Sequence, residues 1–322
     1  MIATWLVLGA CSSTNVVLPT GDGDGTPHDT DTTGGTTETA SDSGHVPVGD
    51  PVTESFPYAV APADVLFIID ASTSMIGYTE SLLGTLEGLV DTWMARNIDF
   101  HAGVVDIDES DIQGQLLSIG GRRWSDPLAP TPGSLLRELV DDVPDPSTQE
   151  EGRTSTYLAL TAMGPGLAND GFLRPGSDLA IILHSDEVDQ SDDNPVSTQQ
   201  FIDYLLALRP DPNLRGFNTI VATEDFHDIS VAVGGVVWSV SNEPYGPALD
   251  AVTATIQGNN AFVLTEAPWA PSITAHVVEP DGTEVDLPND SLDYDSKTNT
   301  VDLDEYYPDS GATVEITYNP LL

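Results

Sequence analysis

The run ADVLFIID, Ala63 to Asp70, limits the fold of this chain more than any other stretch. Val65 to Ile69 are apolar at consecutive positions and rich in β-branched side chains, so the strand they form needs cover on both faces, as in a parallel sheet. The strand stops at Asp70, and Ala71, Ser72, Thr73 and Ser74 give the next segment the small, hydroxylated composition of a loop that turns its side chains toward one point. Beyond it, Ser81 to Met94 places Leu82, Leu86, Leu89, Val90 and Trp93 on one helical stripe.

The same alternation continues downstream. FHAGVVDI, GQLLSIGG, SDLAIILHS and GFNTIVAT are expected as strands, with VVWSVS a weaker one. PGSLLRELVDDV, with Pro132 near its start and Pro144 past its end, STYLALTAM, STQQFIDYLLAL, opened by Ser197 as a cap, and PALDAVTATIQ are expected as helices. Strands that alternate with helices pair in parallel through right-handed crossovers, which predicts an α/β fold with a doubly wound, mostly parallel, Rossmann-like sheet over residues 57–258. From 259 to 322 the pattern changes to short alternating strands separated by PDGT, PNDS and DSKTN, the turn chemistry of a small all-β C-terminal domain.

Charge excludes some partners. The chain carries 52 acidic against 9 basic residues, a net charge of -43, and its first basic residue is Arg96. Phosphate recognition needs Lys and Arg, so nucleic acid is not an expected partner, and an anionic membrane surface would repel this chain. Such a surface suits cations or a basic partner.

The single cysteine, Cys11, closes MIATWLVLGAC, and Leu8, Gly9 and Ala10 before it resemble the lipobox of a bacterial lipoprotein signal. That resemblance implies a signal peptide over residues 1–11, acylation of Cys11, and a mature protein outside the cytoplasm whose contact with a membrane is its lipid anchor, at the outer membrane or cell surface. Residues 12–56, rich in Gly, Thr and Asp, read as a disordered tether. Asp22 and Asp24 have the spacing of a calcium loop, but Thr33 stands where an EF-hand requires Glu.

The loop after the first long strand has its own chemistry. Asp70, Ser72 and Ser74 sit two apart, so one curl can turn a carboxylate and two hydroxyls toward a single centre, and hard oxygen ligands of this kind suit Mg²⁺, Mn²⁺ or Ca²⁺. FIIDASTSM resembles the first motif of von Willebrand factor A-type domains, in which D-x-S-x-S opens a metal-ion-dependent adhesion site. On that resemblance, Thr154 in GRTSTYLAL and Asp186 in AIILHSDE fill the two later positions, and the likeness runs from about Pro57 to Gly258. The sequence departs from the family at Glu187, where a glycine is common. The resemblance implies a divalent cation, Mg²⁺ first, held by Asp70, Ser72, Ser74, Thr154 and Asp186, and a protein partner that supplies a carboxylate to it. It implies binding and not catalysis.

Other readings of the same residues stay open. Ser72, Ser74 and Thr154 could each cap a helix, and Asp186 could be a solvated acid. Asp106, Asp108, Glu109 and Asp111 read as a solvated acidic loop, with a second cation site as the other possibility. Arg122, Arg123 and Trp124 suggest a surface ion pair with stem packing. Nucleophile-elbow, metalloprotease, P-loop and dinucleotide motifs are missing. His184, two residues before Asp186, leaves a metal-assisted hydrolase as one alternative, and a purely structural envelope protein is another.

Overall fold

The computed structural model describes residues 48–144, 149–192, 195–256, 261–304 and 306–322. Cys11 and the tether as far as residue 47 lie outside the described residues. No described helix is long and apolar enough to cross a membrane.

In chain order the elements are β1 (Val52–Pro57), β2 (Ala63–Ile69), α1 (Ile76–Ala95), β3 (Phe100–Asp106), β4 (Trp124–Ser125), α2 (Pro132–Asp141), α3 (Gly152–Thr161) and β5 (Asp178–Ser185). They continue with α4 (Thr198–Leu208), β6 (Arg215–Val221), α5 (His227–Val233), β7 (Val237–Ser239) and α6 (Gly246–Ile256). The last strands are β8 (Ala261–Val263), β9 (Thr274–Val278), β10 (Glu284–Leu287), β11 (Asp293–Asp295), β12 (Thr300–Asp302) and β13 (Thr313–Tyr318).

A six-stranded sheet has the order β4-β3-β2-β5-β6-β7, parallel except for the short edge strand β4. Strand β2 lies at its centre, and its side chains divide as the sequence requires. Val65, Phe67 and Ile69 enter one apolar layer with α1, α2 and α6, while Leu66 and Ile68 enter a second with α3, α4 and α5. Both faces are therefore covered by helices, which is the doubly wound arrangement. On α1 the expected stripe is buried, and Trp93 Nε1 donates to Thr253 Oγ1 of α6 at 2.9 Å. Ser197 caps α4 in a reciprocal capping box with Gln200.

The second unit is antiparallel, a four-stranded sheet β1-β13-β9-β10 beside a three-stranded sheet β11-β12-β8. Its core contains Phe262, Ile273, Val277, Val314, Ile316 and Tyr318. One boundary differs from expectation, because Val52–Pro57 is no part of a tether and pairs along its length with β13. Its alternation is interrupted by Glu54, whose Oε1 accepts from Tyr318 Oη at 2.6 Å and from Thr265 N at 2.9 Å. A strand with a carboxylate on its inner face, and with a partner more than 250 residues away, carries no local signature. The α/β unit is thus inserted between the first strand of the β unit and the rest.

Two further expectations fail. GQLLSIGG is not a strand. It makes one bond to the sheet, Leu117 N to Val104 O at 2.9 Å, and an isolated bridge of Ile119 to Arg122 in a tight turn, and Gly114, Gly120 and Gly121 have positive φ. At Gly114 a Cβ would lie 2.5 Å from Leu158 Cβ, so the helix α3 behind it sets the backbone there. Nor is the acidic segment wholly solvated. Glu109 and Asp111 are exposed, but Asp106 and Asp108 are 2% and 1% exposed, since Asp106 ends β3 beside Ile69 and accepts from Asp108 N at 3.0 Å. The Arg122 group agrees with its reading. Arg122 lies 3.5 Å from Asp126, and the Arg123 guanidinium sits over the Trp124 ring.

At the amino end of the sheet, burial pushes the Asp178 carboxyl up to about 7, against the attraction of Arg209. An unfolded aspartate titrates near 4, so the folded state holds this proton more tightly. The stability it contributes is complete below about pH 4 and is lost as pH rises through 7. The unfolding free energy of Asp178→Asn, relative to the wild type, should therefore increase from about pH 4 to about pH 7 and level off above it in denaturant titrations. A constant difference would contradict this.

Candidate functional site

The carboxyl ends of β2 and β5 lie side by side, with Ile69 opposite His184, at the point where the chain turns from one side of β2 to the other. In open α/β sheets this switch point is where ligands sit. Asp70 is fixed there by its own backbone, which donates to His184 O at 3.0 Å. Its carboxylate is fully buried and held at both oxygens, Oδ1 by Ser72 N at 2.8 Å and Oδ2 by Ser185 Oγ at 2.6 Å. Ser185 in turn accepts from Glu187 N at 3.0 Å, which shapes the loop that carries Asp186.

The serines of the loop are joined to one another and to that second loop. Ser72 Oγ and Ser74 Oγ are 3.0 Å apart, and Ser74 Oγ donates to Asp186 Oδ1 at 3.1 Å. Asp70, Ser72, Ser74 and Asp186 therefore form one network across more than 100 residues of sequence. Neither serine caps α1 or the 3₁₀ turn at Thr73–Met75 that leads into it, since both starts lack a side-chain cap bond. Thr154, in the first turn of α3, is not part of this network. Its hydroxyl is buried and makes no hydrogen bond, and it does not cap the helix. A buried hydroxyl without a partner is costly, and it calls for an explanation such as an ion or water.

The surroundings are strongly acidic. Burial, to which the charge of Asp70 adds, pushes Asp106 up to about 6. Burial likewise raises Glu150, with Asp70, Glu187 and Asp186 contributing. Sequence reasoning missed Glu150, whose backbone pairs with Asp108 in an isolated bridge, because nothing local marks it as a neighbour of Asp70. Burial is the larger cause in both cases, and the repulsion that the neighbouring carboxylates add to it is what a cation would relieve. Among the described residues no three His, Cys, Asp or Glu side chains converge on a metal position. The set here is of another kind, two carboxylates and three neutral hydroxyls, and every donor is hard oxygen suited to Mg²⁺ or Mn²⁺.

His184 is fully buried, neither ring nitrogen has a partner, and the ring packs edge-on against Tyr245 with centroids 5.3 Å apart. Burial lowers its pKa to about 3.

No family model matches the sequence, and no curated protein matches it. Solved structures similar to the chain include a von Willebrand factor type A protein from Catenulispora acidiphila, at 15% identity and TM-score 0.39, over 86% of this chain and 66% of that one. Proximal thread matrix protein 1 from the mussel byssus is 16% identical, with TM-score 0.43, over 66% of this chain and 51% of that one. The pilus adhesin SpaC from Lactobacillus rhamnosus GG is 9% identical, with TM-score 0.42, over 84% and 40% respectively. The chain thus spans between two fifths and two thirds of the length of these proteins. The fold class rests on the strand order and the two covered faces, and not on these likenesses.

Proposed function

We propose that the α/β unit binds a protein partner through a divalent cation, Mg²⁺ first and Mn²⁺ or Ca²⁺ as substitutes, held by Asp70, Ser72, Ser74, Thr154 and Asp186. The observations that carry this reading are the hydroxyl network that ends on Asp186 and, in the first turn of α3, the buried Thr154 Oγ1 that has no hydrogen-bond partner. Once bound, the cation supplies a Lewis-acidic position for an oxygen from outside the chain, which suits a partner's carboxylate. Ser72, Ser74 and Thr154 contribute neutral oxygens, so little of the ionic charge is cancelled by them. Ser185 and the backbone of Ser72 hold Asp70 in one orientation. The burial of His184, and its packing on Tyr245, support binding over metal-assisted hydrolysis, because a general base must reach its proton. The LVLGAC segment supports a lipid anchor on Cys11 and a place outside the cytoplasm, on a bacterial surface.

Capture from envelope and secreted fractions tests this. Immobilised protein should retain partners in Mg²⁺ and release them in EDTA, and Asp70→Asn should retain none in either. Equal capture by the wild type with and without EDTA would contradict the reading.

A further inference from the structure

Thr154 is the one residue of the five without a hydrogen bond of its side chain to fix it, and its helix offers no help. Glu151, at the N-cap of α3, makes no side-chain cap bond, so the first N–H groups of the helix need partners from elsewhere. They find them in the loop between β5 and α4, a few residues past Asp186. Asp189 Oδ1 accepts from Arg153 N at 3.4 Å, from Ser191 N at 3.3 Å and from Ser191 Oγ at 2.6 Å. Ser191 Oγ accepts from Thr154 N at 3.1 Å. The Arg153 guanidinium closes the clasp, 3.4 Å from Asp189 Oδ2 and donating to the Ser191 and Asp192 carbonyls at 2.7 and 3.2 Å. Both side chains of that ion pair are more than nine-tenths buried. Gln190 N adds a bond to Glu150 O at 2.9 Å.

The loop that carries Asp186 therefore caps, from outside, the helix that carries Thr154. We propose that Asp189 and Ser191 are positioning residues for the cation site, and that their clasp on α3 makes the Thr154 hydroxyl and the Asp186 carboxylate a single preorganised unit. This rests on the reading that these residues hold a divalent cation. Side chains that orient metal ligands change metal affinity by roughly ten- to a hundredfold when removed, and Asp189 is placed to act in this way.

The experiment is a Mn²⁺ titration of the full chain at physiological salt, with the metal-free melting temperature of each variant recorded beside it. Asp189→Ala should weaken the saturable site at least about tenfold. Asp189→Asn, which keeps an acceptor for Ser191 and Arg153, should retain most of the affinity. If it loses as much as the alanine variant, the effect is one of charge and the positioning role is overturned. A double-mutant cycle gives a readout that a merely structural role would not move. With the hydroxyl removed in Thr154→Val, Asp189→Ala should cost clearly less affinity than it does in the wild type, and additive losses would overturn the proposal. Should Asp189→Ala fail to fold, Ser191→Ala, which breaks only the link to Thr154 N, enters the cycle in its place. Wild type without saturable Mn²⁺ uptake would sink the cation reading and this proposal with it. Saturable uptake lost in Asp70→Asn but unchanged in Asp189→Ala and Ser191→Ala would sink this proposal alone.

Discussion

Replacing Arg174 by methionine is expected to destabilise the protein by about 3–5 kcal/mol, the cost of leaving a buried charge without its partner. Asp64, fully buried at the start of β2, has its carboxylate held by Arg174 N at 2.6 Å, Arg174 Nε at 2.8 Å and Ser177 Oγ at 2.5 Å. The same guanidinium reaches Asp99 Oδ1 at 2.7 Å and the Ala63 and Asp99 carbonyls at 3.0 Å. Its side chain is 19% exposed, so solvent screens the pair little. Methionine keeps the stem volume but removes the charge and four of these donors. Denaturant unfolding should show the loss as a lower midpoint with an unchanged slope. The double variant Asp64→Leu with Arg174→Met should recover most of it, because removing both charges removes the unpaired one. A loss below about 1 kcal/mol in Arg174→Met would mean that the pair is screened as surface pairs are.

That network was invisible in the sequence, and the reason is general to this chain. Asp64 reads as the polar residue that starts a strand, and Arg174 as one of nine scattered basic residues. Only the register of the sheet brings them together. What was legible is what depends on near neighbours. The unbroken apolar run of β2 announced two covered faces, the stripe on α1 announced its buried side, and Ser197 announced a capped helix. Asp70, Ser72 and Ser74 were legible for the same reason, being five residues from end to end. Thr154 and Asp186 came into view only through a family resemblance, and the support that holds Thr154 did not come into view at all. Asp189 and Ser191 sit in the run SDEVDQSDD, where composition suggests more solvated acid. Asp106 and Asp108 were misread on the same ground, because in a chain with 52 acidic residues a buried carboxylate looks like any other.

The second large effect concerns the cation. A ligand that binds the folded chain alone stabilises it by mass action, by about 2.7 kcal/mol at a hundredfold excess over its dissociation constant. Mg²⁺ should therefore raise the melting temperature of the wild type in a saturable way, superimposed on a shallow rise from general screening of the acidic surface. Asp70→Asn should lose the saturable part and keep the shallow one, while Asp111→Asn, in the exposed part of the neighbouring acidic loop, should keep both. Without metal, Asp70→Asn removes one of the charges that raise Asp106 and Glu150, so its metal-free form should resist unfolding better than a simple loss of hydrogen bonds would suggest. Melting curves alone do not say where the ion sits. A crystal grown with Mn²⁺ does, through the anomalous signal of the metal. The account predicts one strong peak bonded to the hydroxyl oxygens of Ser72, Ser74 and Thr154. No peak, or a peak on the Asp106, Asp108 and Glu150 carboxylates with those three hydroxyls unbound, would contradict it.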